Sequence, residues 1–211
     1  MLLIGQFDSP FVRRVAIAMT RYGMPFEHRT WSVWSDAAEI ARYNPLRKVP
    51  TLVLDDGDVL LESSAILDWL DEQAGPARAM LPARGPARRD GLRIAGLACG
   101  LAEKAVSLVY ERVVRPPAER SAAWVARCEA QIGDTLRVLD ADRARRPGPW
   151  WLGDSLTHAD VAVACALRFT GEAHPALYAP AAHPALAAHA TRAEALPEFR
   201  RIVQPLSLPK T

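Results

Sequence analysis

Cysteine is scarce in this chain and missing where redox chemistry would need it. Only three occur in 211 residues, Cys99, Cys128 and Cys165, far apart and without metal-ligand spacing. That argues against a disulfide-stapled secreted domain and for free thiols in a reducing, cytoplasmic setting. The five histidines form no HExxH or similar set, so no metal site is expected. Long apolar runs are missing too. No segment approaches the roughly 18–20 residues needed to cross a bilayer. The opening "MLLIGQFDSP" has no basic leader and meets Asp8 early, unlike a secretory signal. Nor is there an excess of one charge. Lys and Arg number 26 against 24 Asp and Glu, a net +2, which gives no concentrated basic face for nucleic acid. Arg88-Arg89 and Arg143-Arg145-Arg146 read as solvated helix or loop ends.

What is present divides the chain in two. Residues 2–7 are strand-like. From Pro10 to Tyr22, Phe11, Val15, Ala18, Met19 and Tyr22 recur at helical spacing, and Gly23 closes the segment. "FEHRTW" predicts a second strand and "SDAAEIARYN" a helix stopped by Pro45. "TLVLDDGDVLL" predicts a hairpin turned by Asp and Gly, and "SSAILDWLDEQAG" a helix ended by Gly75. The order β-α-β-α-β-β-α fills about 75 residues. The stretch "GPARAMLPARGPARR" reads as a linker. The alanine-, leucine- and arginine-rich remainder is helical. The expectation is an α+β chain: a thioredoxin-like α/β domain over 1–76, a linker over 77–87 and an all-α domain over 88–211.

Such α/β domains often place a cysteine pair at the start of the first helix. Here that place holds "DSPF", and disulfide exchange needs a thiolate. Ser9 remains. It precedes Pro10, which suits the first helical position, so Ser9 falls at the N-cap. Its hydroxyl either caps the helix only or donates a hydrogen bond to a bound thiolate beside the positive end of the helix dipole. "NPLRKVPTLVLDDGDVLLESSAIL" carries the rest of the pattern. A cis bond between Val49 and Pro50, the cheap case for a cis peptide, would turn the Val49 N–H and C=O outward to pair with a short peptide. Glu62 ends a strand and Ser63 opens a helix, a ready carboxylate site. Lys48 would hold a second carboxylate as a point charge. A peptide with two carboxylates and a central thiol meets all of these features: glutathione. Separately, Pro50, Ser63 and Lys48 have ordinary readings as an edge proline, a cap and a surface charge.

"SPFVRRVAI", "NPLRKVPTL", "LLESSAILDWL" and "LTHADVAVA" together resemble the successive signatures of the glutathione transferase superfamily, most closely its bacterial and tau-like members that use serine. The resemblance spans nearly the whole chain. It implies that Ser9 stabilises the glutathione thiolate, Val49 pairs with the cysteinyl backbone, Glu62 and Ser63 take the γ-glutamyl end, and Lys48 contacts the glycine carboxylate. It further implies glutathione as co-substrate, a small hydrophobic electrophile as partner, and a homodimer. Departures are informative. Arg47 stands where relatives often carry glycine. No tyrosine lies near the chain start, and the zeta-type isomerase motif around the serine is missing. Glutathione-dependent peroxide reduction, or a non-catalytic ligand-binding module, are the competing functions.

In the helical part, Thr157 and Asp160 form a capping-box-like pair with a structural role, His158 between them being incidental. Trp150 and Trp151 read as packing aromatics. Phe11, Trp34 and Tyr110 are the candidates for the electrophile pocket.

Overall fold

A computed structural model of the chain describes residues 1–209. Its first part is a four-stranded mixed sheet of order β2-β1-β3-β4. Strand β1 (Leu2–Ile4) pairs parallel with β2 (Glu27–Arg29) and antiparallel with β3 (Thr51–Val53). β3 in turn pairs antiparallel with β4 (Val59–Leu61). Parallel strands need a crossover, and α1 (Pro10–Tyr22) supplies it between β1 and β2. Of the apolar stripe read from the sequence, Val15, Ala18, Met19 and Tyr22 are buried and Phe11 is half-buried; Val12, Ala16 and Ile17 join the buried face. Gly23, at φ 68, ends the helix by donating to the carbonyls of Met19 and Thr20.

Three elements are shorter than expected. β2 keeps only Glu27–Arg29 of the strand expected over 26–31. The first strand stops at Ile4, because Gly5 takes φ 129 and turns the chain out of the sheet. The helix expected from Ser35 to Asn44 is reduced to α2 (Ala37–Ile40). Asn44 there is committed to holding the next loop, so the backbone leaves the helix early. α3 (Ser63–Ala74) ends at Gly75 as expected.

The helical part begins at Gly85, earlier than the expected 88, with α4 (Gly85–Val109). It continues with α5 (Ala122–Ala144), α6 (His158–Ala173), α7 (Pro184–Glu194) and the short α8 (Pro197–Arg201). α6 is buried on nearly every face, as expected of a helix without a polar stripe. One side of α6 packs on α1 through Val161, Ala164 and Cys165; the other meets α4 through Ala159, Ala162, Val163 and Ala166. Small residues let these helices approach closely. Trp151 is 1% exposed, and its backbone N–H bonds Asp160 at 2.8 Å. Asp160 also takes the Thr157 N–H at 2.8 Å and its hydroxyl at 2.6 Å, so the capping pair is structural.

His158 is not incidental. Its Nε2 lies 2.8 Å from the Asp71 carboxylate of α3. The same carboxylate accepts from the Tyr22 hydroxyl and from the backbone N–H groups of Met80 and Leu81. One buried acid therefore joins α1, α3, the linker and α6. Burial alone would lift the Asp71 carboxyl, but the bonds from His158 and Tyr22 prevail and hold it below the usual carboxylate range. Arg13 makes a second tie: it grips Glu194 of α7 through two bonds, at 2.6 and 2.7 Å, and the Ile202 carbonyl at 2.9 Å. Among the described residues no helix is long and apolar enough to cross a membrane.

Candidate active site

A cavity of about 160 Å³ opens where the α/β part faces the helices. One wall is built from loops at the ends of strands. Ser9 caps α1 with extended backbone, φ −65 and ψ 124, and its Oγ accepts from the Val12 N–H at 3.4 Å. That bond is long for a cap and uses only an oxygen lone pair, so the hydroxyl proton remains available to donate elsewhere. Asp8 lines the cavity beside it. Burial lifts the Asp8 carboxyl above its usual range, although the Ser207 N–H at 2.9 Å partly counters this.

The Val49–Pro50 bond is cis. Pro50 is buried beneath the loop, and Val49 lines the cavity. Among the described residues neither the N–H nor the C=O of Val49 has a hydrogen-bond partner. Buried Asn44 holds this loop. Its amide donates to the Lys48 carbonyl at 2.9 Å and to Thr51 Oγ1 at 3.2 Å, while its own oxygen accepts from the Leu46 N–H at 3.0 Å. Gly5 fits beneath: a Cβ there would sit 2.5 Å from Val12 Cγ2 and 2.8 Å from Val49 Cβ. Only glycine lets β1, α1 and the Val49 loop approach this closely.

Glu62 and Ser63 lie outside the cavity wall. Glu62 precedes α3 with φ 65, and Ser63 is its first residue, 4% exposed. They connect to the cavity through Lys48, whose Nζ is 3.0 Å from Glu62 Oε1. The sequence reading assigns these two charges to opposite ends of a peptide; here they pair with each other, as exposed neighbours of opposite sign do. The side chains are 62% and 64% exposed, so a ligand could part them for at most about 1 kcal/mol. Behind this corner, buried Arg14 donates to Ser64 Oγ at 2.7 Å and to Cys99 Sγ at 2.8 Å, tying α1, α3 and α4. Burial raises the Cys99 thiol despite the arginine, so it stays protonated.

The facing wall is apolar. Val106, Val109 and Tyr110 come from the end of α4 and a single π-helical turn (Tyr110–Val114); Phe169 comes from α6 and Phe11 from α1. Trp34 reaches in from the loop before α2, with its ring centroid 4.7 Å from that of Tyr110. Ser32 and Asp36 fix that loop: the Ser32 N–H bonds Asp36 at 2.9 Å, and the Trp34 N–H bonds Ser32 Oγ at 3.1 Å. Burial raises the Tyr110 hydroxyl, the Lys48 charge only partly opposing it, so it remains a neutral donor. The structure therefore gathers Ser9, Phe11, Trp34, Lys48, Val49 and Tyr110 around one space.

Sequence reasoning missed Asp8, Trp31, Val33 and the tail. Leu206, Ser207 and Leu208 lie across the cavity. They are held by the Ser207 N–H on Asp8 and the Leu206 N–H on Glu172 at 3.2 Å. The available signal was "PLSLP", two leucines alternating between prolines that forbid a further helix.

Two family models match the chain: the glutathione S-transferase N-terminal domain over residues 8–73 and its C-terminal domain over 122–192. The chain belongs to the glutathione S-transferase family. The GST-like protein YibF of Escherichia coli is 32% identical over 173 residues, 80% of this chain and 81% of its own length. A probable maleylacetoacetate isomerase of Caenorhabditis elegans is 29% identical over 77% of this chain and 75% of that protein. Among solved structures, a glutathione S-transferase of Methylobacterium radiotolerans in complex with glutathione sulfonate superposes with a TM-score of 0.88. It is 34% identical and covers 100% of this chain and 95% of its own. The α+β architecture of these transferases, a thioredoxin-like sheet followed by helices, is the one found here.

Proposed function

We propose that this transferase conjugates glutathione to small apolar electrophiles. Residues 1–76 hold the tripeptide, residues 88–211 supply most of the acceptor wall, and 77–87 join them. The carrying observation is the convergence on one cavity of a serine hydroxyl at a helix N-terminus, an unpartnered backbone N–H and C=O at Val49, and an aromatic wall. Glutathione, found as its sulfonate in the Methylobacterium relative, would lay its cysteine backbone along Val49, its γ-glutamyl end toward Glu62 and Ser63, and its glycine carboxylate toward Lys48.

Ser9 then donates to the sulfur, and the N-terminal end of the 13-residue α1 adds positive potential. Both favour the thiolate, which is the attacking form. With an aryl halide, the sulfur lone pair forms a C–S bond, the C–halogen bond breaks, halide leaves, and the thiol proton has already passed to solvent. A charge-assisted hydrogen bond contributes about 1.5–3 kcal/mol, roughly 10–100-fold in rate. Ser9→Ala should lose that factor in kcat/KM with chlorodinitrobenzene while the protein is still retained on immobilised glutathione. Retention with no turnover by wild type would instead support a binding module.

Isomerisation is the second reading, favoured by the nematode relative; the thiolate would then add and depart, and no conjugate would accumulate. A homodimer, as the family resemblance implies, belongs to the same reading. The free, buried thiols of Cys128 and Cys165 fit a cytoplasmic enzyme.

A further inference from the structure

Arg47 is one of two non-glycine residues at positive φ among the described residues, the other being Glu62. The Arg47 backbone lies at φ 52, the left-handed region that an arginine enters at a cost and glycine enters freely. Its N–H is pinned to the Asn44 carbonyl at 2.9 Å, so the conformation is imposed by the same loop that presents Val49. Arg47 is exposed and is one of the residues lining the cavity, and among the described residues its guanidinium has no ion pair and no hydrogen bond to the protein. The neighbouring cation, Lys48, is already engaged with Glu62. The acid on the cavity wall, Asp8, is occupied by the Ser207 N–H. Beside the aromatic side of the cavity, formed by Trp31, Trp34 and Tyr110, there is thus one uncommitted, always-charged fork. Backbone strain kept at a ligand site points from the outlier to a function for its side chain.

We propose that Arg47 selects electrophiles carrying a carboxylate, holding that group at the rim while the apolar body of the molecule sits against the aromatic wall and the reactive carbon faces Ser9. The proposal rests on the transferase reading and names its acceptor class. The guanidinium offers paired N–H donors matched to a carboxylate, whereas a lysine there would act only as a point charge.

The test compares chlorodinitrobenzene with its ring-carboxylated counterpart, chlorodinitrobenzoate, for wild type, Arg47→Gln and Arg47→Gly. The glycine variant also relieves the strained backbone, so it should fold at least as well. We expect the ratio of kcat/KM for the benzoate over the neutral halide to fall about tenfold in both variants, with KM for glutathione little altered. An unchanged ratio overturns the proposal. A raised KM for glutathione with both acceptors equally affected also overturns it, because the fork would then serve the glycine carboxylate of glutathione. If wild type turned over neither halide, the transferase reading would fail separately. Calorimetry of the two preformed S-aryl conjugates would still decide the role of Arg47: a loss of affinity in Arg47→Gly confined to the carboxylated conjugate supports it, and equal loss or none refutes it.

Discussion

The two walls of the cavity are made by different means. The α/β wall places backbone groups and one hydroxyl by covalent and short-range devices: Pro10 after Ser9, Asn44 bridging its own loop, glycine at position 5. The helical wall places only bulk. Val106, Tyr110, Phe169 and Leu206 come from separate elements and offer little apart from apolar area and the Tyr110 hydroxyl. The first arrangement demands particular residues at particular positions. The second tolerates any side chains that fill the space, so under the proposed function the first wall would fix glutathione, and the second, together with Trp34 and Arg47 from the α/β part, would meet the acceptor.

Substitutions can break that contrast. The largest effect is expected at Gly5. Gly5→Ala forces a Cβ into Val12 and Val49 at a backbone angle that L-residues avoid, which should cost about 2–5 kcal/mol by denaturant unfolding. The same change should raise KM for glutathione with every acceptor. An acceptor-dependent effect would show that the two walls are not independent.

Next comes the tie between the two parts. Asp71 is held ionised in the folded state, so its contribution is present above the ordinary carboxylate pKa of about 3.9 and is lost as pH falls through its lower folded value. Asp71→Asn should therefore be less stable than wild type by about 1–3 kcal/mol at neutral pH, and the gap should narrow below about pH 4. A gap that stays constant with pH would remove the charge from the explanation.

The smallest effect is expected on the acceptor wall. Trp34→Ala loses the pairing with Tyr110 and should cost about 1 kcal/mol. It should appear as a several-fold rise in KM for aromatic acceptors, with KM for glutathione unmoved. Similar changes in both constants would place Trp34 on the glutathione side.

The same contrast explains what the sequence disclosed. Ser9-Pro10, the Asn44–Pro50 loop and Glu62-Ser63 were legible because caps, proline isomers and turns act over a few residues. His158 and the tail were not. The partner of His158 is 87 residues away and that of Ser207 is 199 away, so nothing local marks either contact. The shortened α2 is a middle case: Pro45 announced the stop, but the demands on Asn44 that advanced it lie in the following loop. Phe11, Trp34 and Tyr110 are the sequence's candidates for the electrophile pocket. In the structure they line one cavity, together with Leu206 and Leu208, which only the folded chain could have placed.

The ultraviolet absorbance of the enzyme-bound glutathione thiolate, followed against pH in wild type and in Ser9→Ala, tests the central claim most directly. Wild type should show ionisation well below that of free glutathione, and the variant should shift it upward by about 1–2 pH units, the equivalent of one charge-assisted hydrogen bond. Superimposable titrations would contradict it, leaving Ser9 as a helix cap and nothing more.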